Sequence, residues 1–454
     1  SKFTTADLVK YGVLEEQLLD LAPYIEAGYM PNLASLIEMT PAYGDVITDV
    51  DGHMWSAPYI GVATTASAIS RMFLNYDWLE EAGVAVPKTT DEFLAAMRAM
   101  KAKDPSRYPV GGSWSTYNPV QYFLNAFGFI GEGKITDISL YNGKVTLPAA
   151  NREAYGEFLK YMNALYTEGL LHPDFFTMDG DTTNAQMTQE LNGFYMEAPS
   201  LSTSEEVTRQ WWGAYPLTSS TNPTAQWPMS TKAVSAGGAV ITSACKEPEL
   251  ACVFLDWFFN TVNYANWSFM PMADGPYAQY LCGFQGGYLR KNDTEIGRMD
   301  FDFADKKVQN RYGGGWTWAC AHIHMWYDRV GLKIDLETGK EAFVAATVEQ
   351  PAMESAADRK NPEYDHKSLW QWALEDTAEP YVTTDVLSPY IYFDVETTER
   401  IADLMQVINE YANTEFAKFV TGKRSLSELD AYFDELDRLG AQELIGIYSD
   451  YYGR

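Results

Sequence analysis

Short strand-like runs alternate with amphipathic helical stretches along most of this chain. Residues 68–75 have the pattern of a strand, whereas residues 151–168 place large apolar side chains on one helical face. Thr89 and Glu92 have the spacing of a capping box at a helix start. This alternation, interrupted by long loops, predicts an α/β protein. Because 454 residues are several times what one core requires, we expect two lobes.

Acidic residues greatly outnumber basic ones. The 62 Asp and Glu against 33 Lys and Arg give a formal charge of −29. Nucleic-acid-binding proteins normally carry a basic surface, so this balance argues against nucleic acid as a partner. No window is apolar over the roughly 18 residues that a membrane-spanning helix requires. The 4 cysteines contain no C-x-x-C pair, so they predict neither a disulfide scaffold nor a zinc site.

The sequence carries no strong catalytic or metal-binding motif. It lacks the G-x-S-x-G, H-E-x-x-H and P-loop patterns. His322 and His324 could bind a metal from one strand face, and the Asp pairs at 179/181 and 300/302 could hold calcium, but none continues into a full set of ligands. We therefore predict a protein that is not an enzyme and that requires no metal or other cofactor.

Four segments and the closing helices, in the same order, resemble family 1 extracellular solute-binding proteins of bacterial ABC importers. D-G-H-M-W-S-A-P-Y at 51–59 is similar to that family's D-G-K-I-Y-A-L-P-Y. Residues 71–83 match R-x-x-x-N-x-D-W-L-x-x-x-G, and residues 87–93 match P-K-T-x-x-E-F. S-A-G-G-A-V-I at 235–241 resembles the family's return strand. The closing helices at 408–440 are similar to those of the lipoprotein-type branch, which is distantly like the maltose-binding protein.

This resemblance implies a periplasmic-binding-protein type II-like α/β fold, with two lobes, a hinge and a ligand cleft. It places residues 1–110 and 237–385 in the first lobe, and residues 111–236 and 386–454 in the second. The relatives' calcium loop is cut short here at 101–108, and their first strand–helix–strand unit has no counterpart. We therefore expect no calcium site, and a natural protein that extends upstream of Ser1.

The resemblance also implies partners and a compartment. The chain would capture a solute outside the cell, as a surface lipoprotein or a periplasmic protein, and deliver it to membrane permease subunits while remaining a monomer itself. An oligosaccharide is the favoured solute and a peptide is the alternative. Two other classes stay open: a carbohydrate-active enzyme, which needs a pair of carboxylates at a defined separation, and a surface sensor or adhesin with the same lobes.

Aromatic side chains in loops rich in Gly, Pro or Ser are the candidate ligand contacts, because aromatic rings with nearby carboxylates and amides suit sugars. Trp114 is expected to stack on the ligand from the cleft wall. The full candidate set is Tyr59, Trp114, Tyr117, Glu197, Ser200, Trp212, Trp267, Trp316 and Tyr390. Core packing is the alternative for about half of these aromatic residues. It is the interpretation that we favour for Trp55, Trp78 and Trp257.

Overall fold

The computed structural model divides the chain into two compact units. The first comprises Ser1–Thr64, Lys232–Glu349 and Ser388–Glu399, and the second comprises Thr65–Thr231, Gln350–Leu387 and Arg400–Arg454. The residues that the structure describes are 3–39, 42–60, 71–197, 203–228, 234–259, 288–290, 296–298, 330–334, 341–345, 353, 355–364, 366, 369–388 and 390–453.

Helices form most of the regular structure. Those of the first unit are Thr5–Leu8, Ala22–Glu26, Pro31–Met39, Ala42–Ile47 and Pro248–Asp256, with a π-helical segment at Val9–Leu14. Those of the second are Tyr76–Ala82, Thr90–Lys103, Val120–Ala126, Tyr155–Thr167, Gly180–Thr188, Glu205–Thr208, Leu369–Thr377, Leu429–Arg438 and Ala441–Tyr452. The helix Val395–Val420 includes the division at Glu399. Short 3-10 turns lie at Pro148–Ala150, Trp257–Phe259, Ala356–Lys360, Glu379–Tyr381 and Leu426–Glu428.

The strands are short and form small sheets. In the first unit, Ala57–Ile60 pairs antiparallel with Val234–Ala239, and two further antiparallel pairs join Tyr288–Arg290 to Ile296–Arg298 and Val330–Ile334 to Glu341–Ala345. In the second unit, a three-stranded antiparallel sheet has the order Phe194–Tyr195, Phe73–Asn75, Trp211–Gly213. A hairpin joins Ser139–Tyr141 to Lys144–Thr146, and Trp227–Pro228 runs parallel to Val382–Thr383.

These units divide the chain at other points than the predicted 110, 236 and 385. Of the strand expected at 68–75, the structure forms Phe73–Asn75, whose two neighbouring strands both come from the second unit. This pairing assigns the chain from residue 71 onward to the second unit. The helix Leu369–Thr377 also belongs there, because Asp376 accepts a hydrogen bond from the indole of Trp212.

The helix Thr90–Lys103 forms as its sequence predicts. Thr89 Oγ1 accepts a hydrogen bond from the Glu92 backbone at 3.1 Å, and the Glu92 carboxylate accepts one from the Thr89 backbone at 3.2 Å. This capping box satisfies backbone donors that a helix start leaves without partners. Phe93, Met97 and Met100 are buried along one face, as expected from their spacing. The predicted amphipathic helix at 151–168 is likewise present, as Tyr155–Thr167.

The helix Pro248–Asp256 buries a different face from the predicted one. The apolar side chains of Leu250 and Phe254, four residues apart, predict the buried side of a helix that begins at Pro248, but they are 67% and 62% exposed. Cys252 and Asp256 are buried instead. The Asp256 carboxylate accepts hydrogen bonds from the backbone N–H of Leu33 at 2.9 Å and from the side chain of Asn32 at 2.6 Å. The buried side therefore combines apolar packing of Cys252 with the carboxylate of Asp256, which caps the start of the helix Pro31–Met39.

An aromatic core supports the three-stranded sheet of the second unit. The ring of Phe93 lies 5.7 Å from that of Tyr122, 5.4 Å from that of Phe123 and 5.2 Å from that of Phe194, measured between centroids. All four residues are fully buried. Offset and edge-to-face contacts of this kind add stability beyond the apolar area that they bury. They hold the strand Phe194–Tyr195 in place, and this strand leads directly into the candidate site.

Candidate functional site

Five side chains of the second unit form a partly exposed cluster, which we call the Arg71 site: Arg71, Tyr117, Tyr195, Glu197 and Trp370. The guanidinium of Arg71 donates from Nη1 to Glu197 Oε1 at 2.5 Å and lies 4.7 Å from the ring centroid of Trp370. The rings of Tyr117 and Tyr195 are 5.2 Å apart. The side chains of Arg71 and Glu197 are 27% and 18% exposed, so the ion pair is partly desolvated yet remains within reach of a ligand.

Strand pairing explains how Arg71 and Glu197 meet. Phe73 and Tyr195 are cross-strand partners in the antiparallel sheet. Arg71 precedes Phe73 by two residues and Glu197 follows Tyr195 by two residues. Because side chains on one face recur every second residue, the two charged residues continue the same line of cross-strand pairs beyond the sheet. Two neighbouring strand ends therefore fix the ion pair.

A tight loop places Tyr117 against Tyr195. A Cβ atom on Gly111 would lie 2.5 Å from the ring of Tyr195, so this position needs glycine for the close approach. Gly112 has a φ of +95°, and a Cβ atom there would overlap the carbonyl oxygen of Tyr117. Tyr117 itself has a φ of 51°, in the left-handed region that non-glycine residues seldom occupy. Such strained positions are held by their surroundings and occur often at functional sites.

The two tyrosine hydroxyls of the site stay protonated. Burial raises the pKa of Tyr195, and the nearby charges of Tyr117 and Glu197 raise it further. Burial also raises the pKa of Tyr117, with a further increase from Glu197 and an opposing effect from Arg71. Among the described residues, the buried hydroxyl of Tyr195 has no hydrogen-bond partner. The site thus offers the neutral O–H group of Tyr117 beside a guanidinium and a carboxylate, whereas the hydroxyl of Tyr195 is buried.

Two of the predicted contacts, Tyr117 and Glu197, lie together in this site. Trp114 belongs to the same loop, but its ring contacts Phe176 and Phe416, at centroid distances of 5.7 Å and 5.2 Å. The indole therefore packs against the core and is half-buried, through residues that are distant in sequence from its loop. Its predicted contact with a ligand stays a prediction.

Trp212 lies in the core, contrary to the expectation that it contacts ligand. Its side chain is 0% exposed, and its indole N–H donates to Asp376 Oδ2 at 2.7 Å. A ring without accessible surface offers nothing for a sugar to stack on. The sequence-based prediction failed here because Trp211-Trp212-Gly213 forms an edge strand of the sheet that is fully buried, although polar loop residues flank it.

The remaining predicted contacts are in the first unit or outside the described residues, so their contact with a ligand stays a prediction. Tyr59 is in the strand Ala57–Ile60 of the first unit, and Tyr390 is half-buried in the same unit. Ser200, Trp267 and Trp316 lie outside the described residues.

Sequence reasoning missed Arg71 and Trp370 as site residues. Arg71 was recognised within the family motif but received no role. Trp370 is in the helix Leu369–Thr377, whose buried positions include Leu369 and Ala373. Because 369 and 373 are spaced as one helical face, Trp370 falls beside that face and is only partly buried. The sequence feature that could identify Trp370 as a site residue is its position next to the buried helical face rather than within it.

The metal-binding candidates can be compared with the structure in part. Within the residues that the structure describes, no group of three or more His, Cys, Asp or Glu side chains is arranged to hold a metal ion. Asp179 instead caps the helix Gly180–Thr188, accepting from the Thr182 backbone at 2.9 Å. The pairs at 300/302 and 322/324 lie outside the described residues. In the same described part of the chain, no helix has the length and apolar character needed to span a bilayer.

The matched family defines the class of protein. Residues 18–265, more than half of the chain, match the family of bacterial extracellular solute-binding proteins. The chain belongs to this family, which confirms the resemblance seen in its motifs. Members of this family are solute-binding proteins rather than enzymes.

Particular relatives agree with this assignment. The chain is 24% identical over 451 residues to the fructooligosaccharide ABC transporter substrate-binding protein FusA of Streptococcus pneumoniae, covering 93% of this chain and 74% of that protein. A FusA EF-hand mutant in complex with fructo-nystose superposes with a TM-score of 0.71 at 20% identity, covering 100% of this chain and 86% of the other. An HMO-binding solute-binding protein of Bifidobacterium longum infantis gives 0.71 at 18% identity, covering 99% and 86%. These likenesses confirm the two-lobed α/β fold.

Proposed function

We propose that this protein captures an oligosaccharide outside the cell and delivers it to the permease of an ABC importer, and that the sugar binds at the Arg71 site. The observation that carries this proposal is the Arg71–Glu197 pair beside the aromatic rings of Tyr117 and Trp370. The names of FusA and of the HMO-binding protein support an oligosaccharide as the class of ligand.

The chemistry of the site suits sugar hydroxyls. Each hydroxyl both donates and accepts hydrogen bonds, and the pair presents N–H donors of Arg71 next to carboxylate acceptors of Glu197. Two adjacent hydroxyls of one sugar ring can therefore bond to the two partners at once. The apolar C–H face of the ring can pack on Tyr117 or Trp370, which supplies contact area without requiring a charged ligand.

The same proposal includes the setting in which the chain acts. We infer that it works as a monomer, without catalysing a reaction on its ligand, and that it is a surface lipoprotein or a periplasmic protein. The family, whose members are extracellular, supports the compartment in general terms. Labelling of intact cells with a membrane-impermeant reagent measures exposure at the surface, and incubation with the purified protein followed by sugar analysis would reveal any turnover.

Calorimetric titration with kestose, nystose and neutral milk oligosaccharides tests the ligand class. A sugar present at a hundred times its dissociation constant should raise the free energy of unfolding by about 2.7 kcal/mol. Arg71→Ala should weaken binding of that sugar by about tenfold to a hundredfold, because a hydrogen bond to a charged group contributes about 1.5–3 kcal/mol.

Arg98→Ala is the matched control. Arg98 is in the same unit, on the helix Thr90–Lys103, and forms two hydrogen bonds of 2.6 Å with Glu168, which follows the helix Tyr155–Thr167. Neither residue belongs to the Arg71 site. Removal of the Arg98 side chain should leave affinity unchanged. If no glycan binds, or if both alanine variants bind a glycan as tightly as the unmodified protein does, the proposed site is refuted.

A further inference from the structure

We propose that the Arg71 site selects neutral glycans and rejects acidic ones, because Glu197 already compensates the charge of Arg71. This inference rests on the proposed function and names the class of sugar that the site would accept. An arginine in a sugar site usually suggests an anionic ligand, since guanidinium groups bind carboxylates in a matching fork geometry. Here the chain itself supplies that carboxylate.

The first step concerns the contacts of Arg71. Its Nη1 donates to Glu197 Oε1 at 2.5 Å, and this hydrogen bond joins two groups of opposite charge. Its planar face lies 4.7 Å from the ring centroid of Trp370. An incoming carboxylate would have to displace Glu197 to gain the full charge of Arg71. Since adjacent strand ends fix both residues, Glu197 would remain close to the ligand even after displacement.

The second step concerns the field of Glu197. Its negative charge acts on both site tyrosines, where it adds to the effect of burial in raising their pKa. A ligand carboxylate that accepts from the hydroxyl of Tyr117, the less buried of the two, would therefore lie near a second negative charge. Like charges at this range repel strongly where water is partly excluded. A neutral hydroxyl at the same place accepts the hydrogen bond without that repulsion.

The third step concerns the charge of the whole chain. The formal charge of −29 lowers the local concentration of anions around the protein, most strongly at low ionic strength. This long-range effect slows the approach of any acidic glycan, but it does not determine which site of the protein the glycan prefers. The local pair at Arg71 is what sets preference after encounter. Screening by salt should therefore reduce, but not abolish, the preference for neutral sugars.

Glycans that differ in charge but have similar size measure the preference. The neutral probes are fucosyllactose and kestose, and the acidic probes are sialyllactose and a galacturonic acid trimer. For the better-bound neutral probe, we expect an affinity at least about tenfold above that of the acidic probe of matched size. Titrations at low and high salt separate the long-range from the local contribution.

Substitution of Glu197 should reverse the preference. Glu197→Gln keeps the shape of the side chain but frees the charge of Arg71, so the ratio of acidic to neutral affinity should rise by at least about tenfold. Glu168→Gln is the matched control, because it removes a carboxylate from the Arg98 pair in the same unit, and it should leave the ratio unchanged. Arg71→Gln should lower the ratio, and it also provides a second variant if Glu197→Gln does not fold.

The outcomes separate the two proposals. If no glycan of either charge binds, the proposed function fails and this inference fails with it. If glycans bind but acidic and neutral probes bind equally, or if Glu197→Gln and Arg71→Gln both leave the ratio as it was, the inference alone is overturned. A neutral preference that shifts toward acidic sugars in Glu197→Gln supports it.

Discussion

Arg71 and Arg359 show that arginine has two different roles within the same unit. Among the described residues, Arg71 has one carboxylate partner; its guanidinium lies over the ring of Trp370, and its side chain is partly exposed. Arg359 is 6% exposed and donates from Nη2 to Asp77 Oδ1 at 2.8 Å and to Glu80 Oε1 at 2.7 Å. Burial and the number of partners within the chain thus distinguish an arginine that can meet a ligand from one that holds the fold.

The two arginines also reveal a double use of one motif. Residues 71–83, which carry the family pattern, supply Arg71 to the candidate site and Asp77 to the Arg359 contact. Arg359 is part of the turn Ala356–Lys360, and its Nη1 donates to the Ala356 carbonyl at 2.8 Å. Because the same guanidinium also donates to Asp77, it joins this turn to the helix Tyr76–Ala82. A motif that identifies a family can therefore supply one residue for ligand binding and another that stabilises the fold.

The largest expected effect is on stability, in Arg359→Ala. Removing one partner of a buried ion pair costs about 3–5 kcal/mol, and the lower end applies here because Asp77 and Glu80 remain partly hydrated. Arg71→Ala should cost about 1 kcal/mol or less, since its pair is more exposed. Urea unfolding followed by circular dichroism measures both. Equal losses in the two variants would contradict the distinction between them.

Trp114 and Tyr117 allow the next test, within one loop. Trp114→Ala removes contacts with Phe176 and Phe416 and should lower the free energy of unfolding by about 2 kcal/mol, the contribution of a largely buried aromatic side chain. Tyr117→Ala should instead weaken sugar binding by about tenfold. Thermal melts of both variants measure the loss of stability, and titrations measure the loss of sugar affinity. A Trp114→Ala protein that melts normally but loses at least about thirtyfold in affinity would favour the sequence-based stacking prediction instead.

The smallest expected effect concerns pH. Burial lowers the pKa of His172 below its ordinary value of 6.5, and the charge of Asp174 opposes this only in part. The unfolded chain then binds the proton more readily, so stability should fall as pH decreases through about 6.5 and should level off below the folded-state pKa. His172→Asn should flatten this part of the stability profile.

Because His172 packs on Tyr108, outside the Arg71 site, sugar affinity of the folded protein should stay constant over the same range. Unfolding titrations and calorimetry at about pH 7.5 and about pH 5.5 distinguish the two responses. If the affinity falls at the lower pH in the unmodified protein but not in His172→Asn, then His172 influences ligand binding as well as stability.

The sequence predicts local features well and distant pairings poorly. The capping box of Thr89 follows from the spacing of two residues, and the buried stripe from Phe93 to Met100 follows from helical periodicity. The Arg71–Glu197 contact joins positions 126 residues apart, and no local pattern carries that pairing. Tyr117 was found through its glycine-rich loop, whereas Trp370 required knowledge of which helical face is buried.

The stacking of Trp370 on Arg71 has a consequence for how the protein reaches its active form. Arg71, Glu197 and Trp370 come from stretches spread across most of the chain, and contacts of such long sequence separation form late because loop closure is entropically costly. A chain that folds as it emerges can pair its two charges before Trp370 arrives. Trp370 joins the site only afterwards. The chain should therefore become able to bind its ligand after, and not during, the compaction of roughly its first two hundred residues.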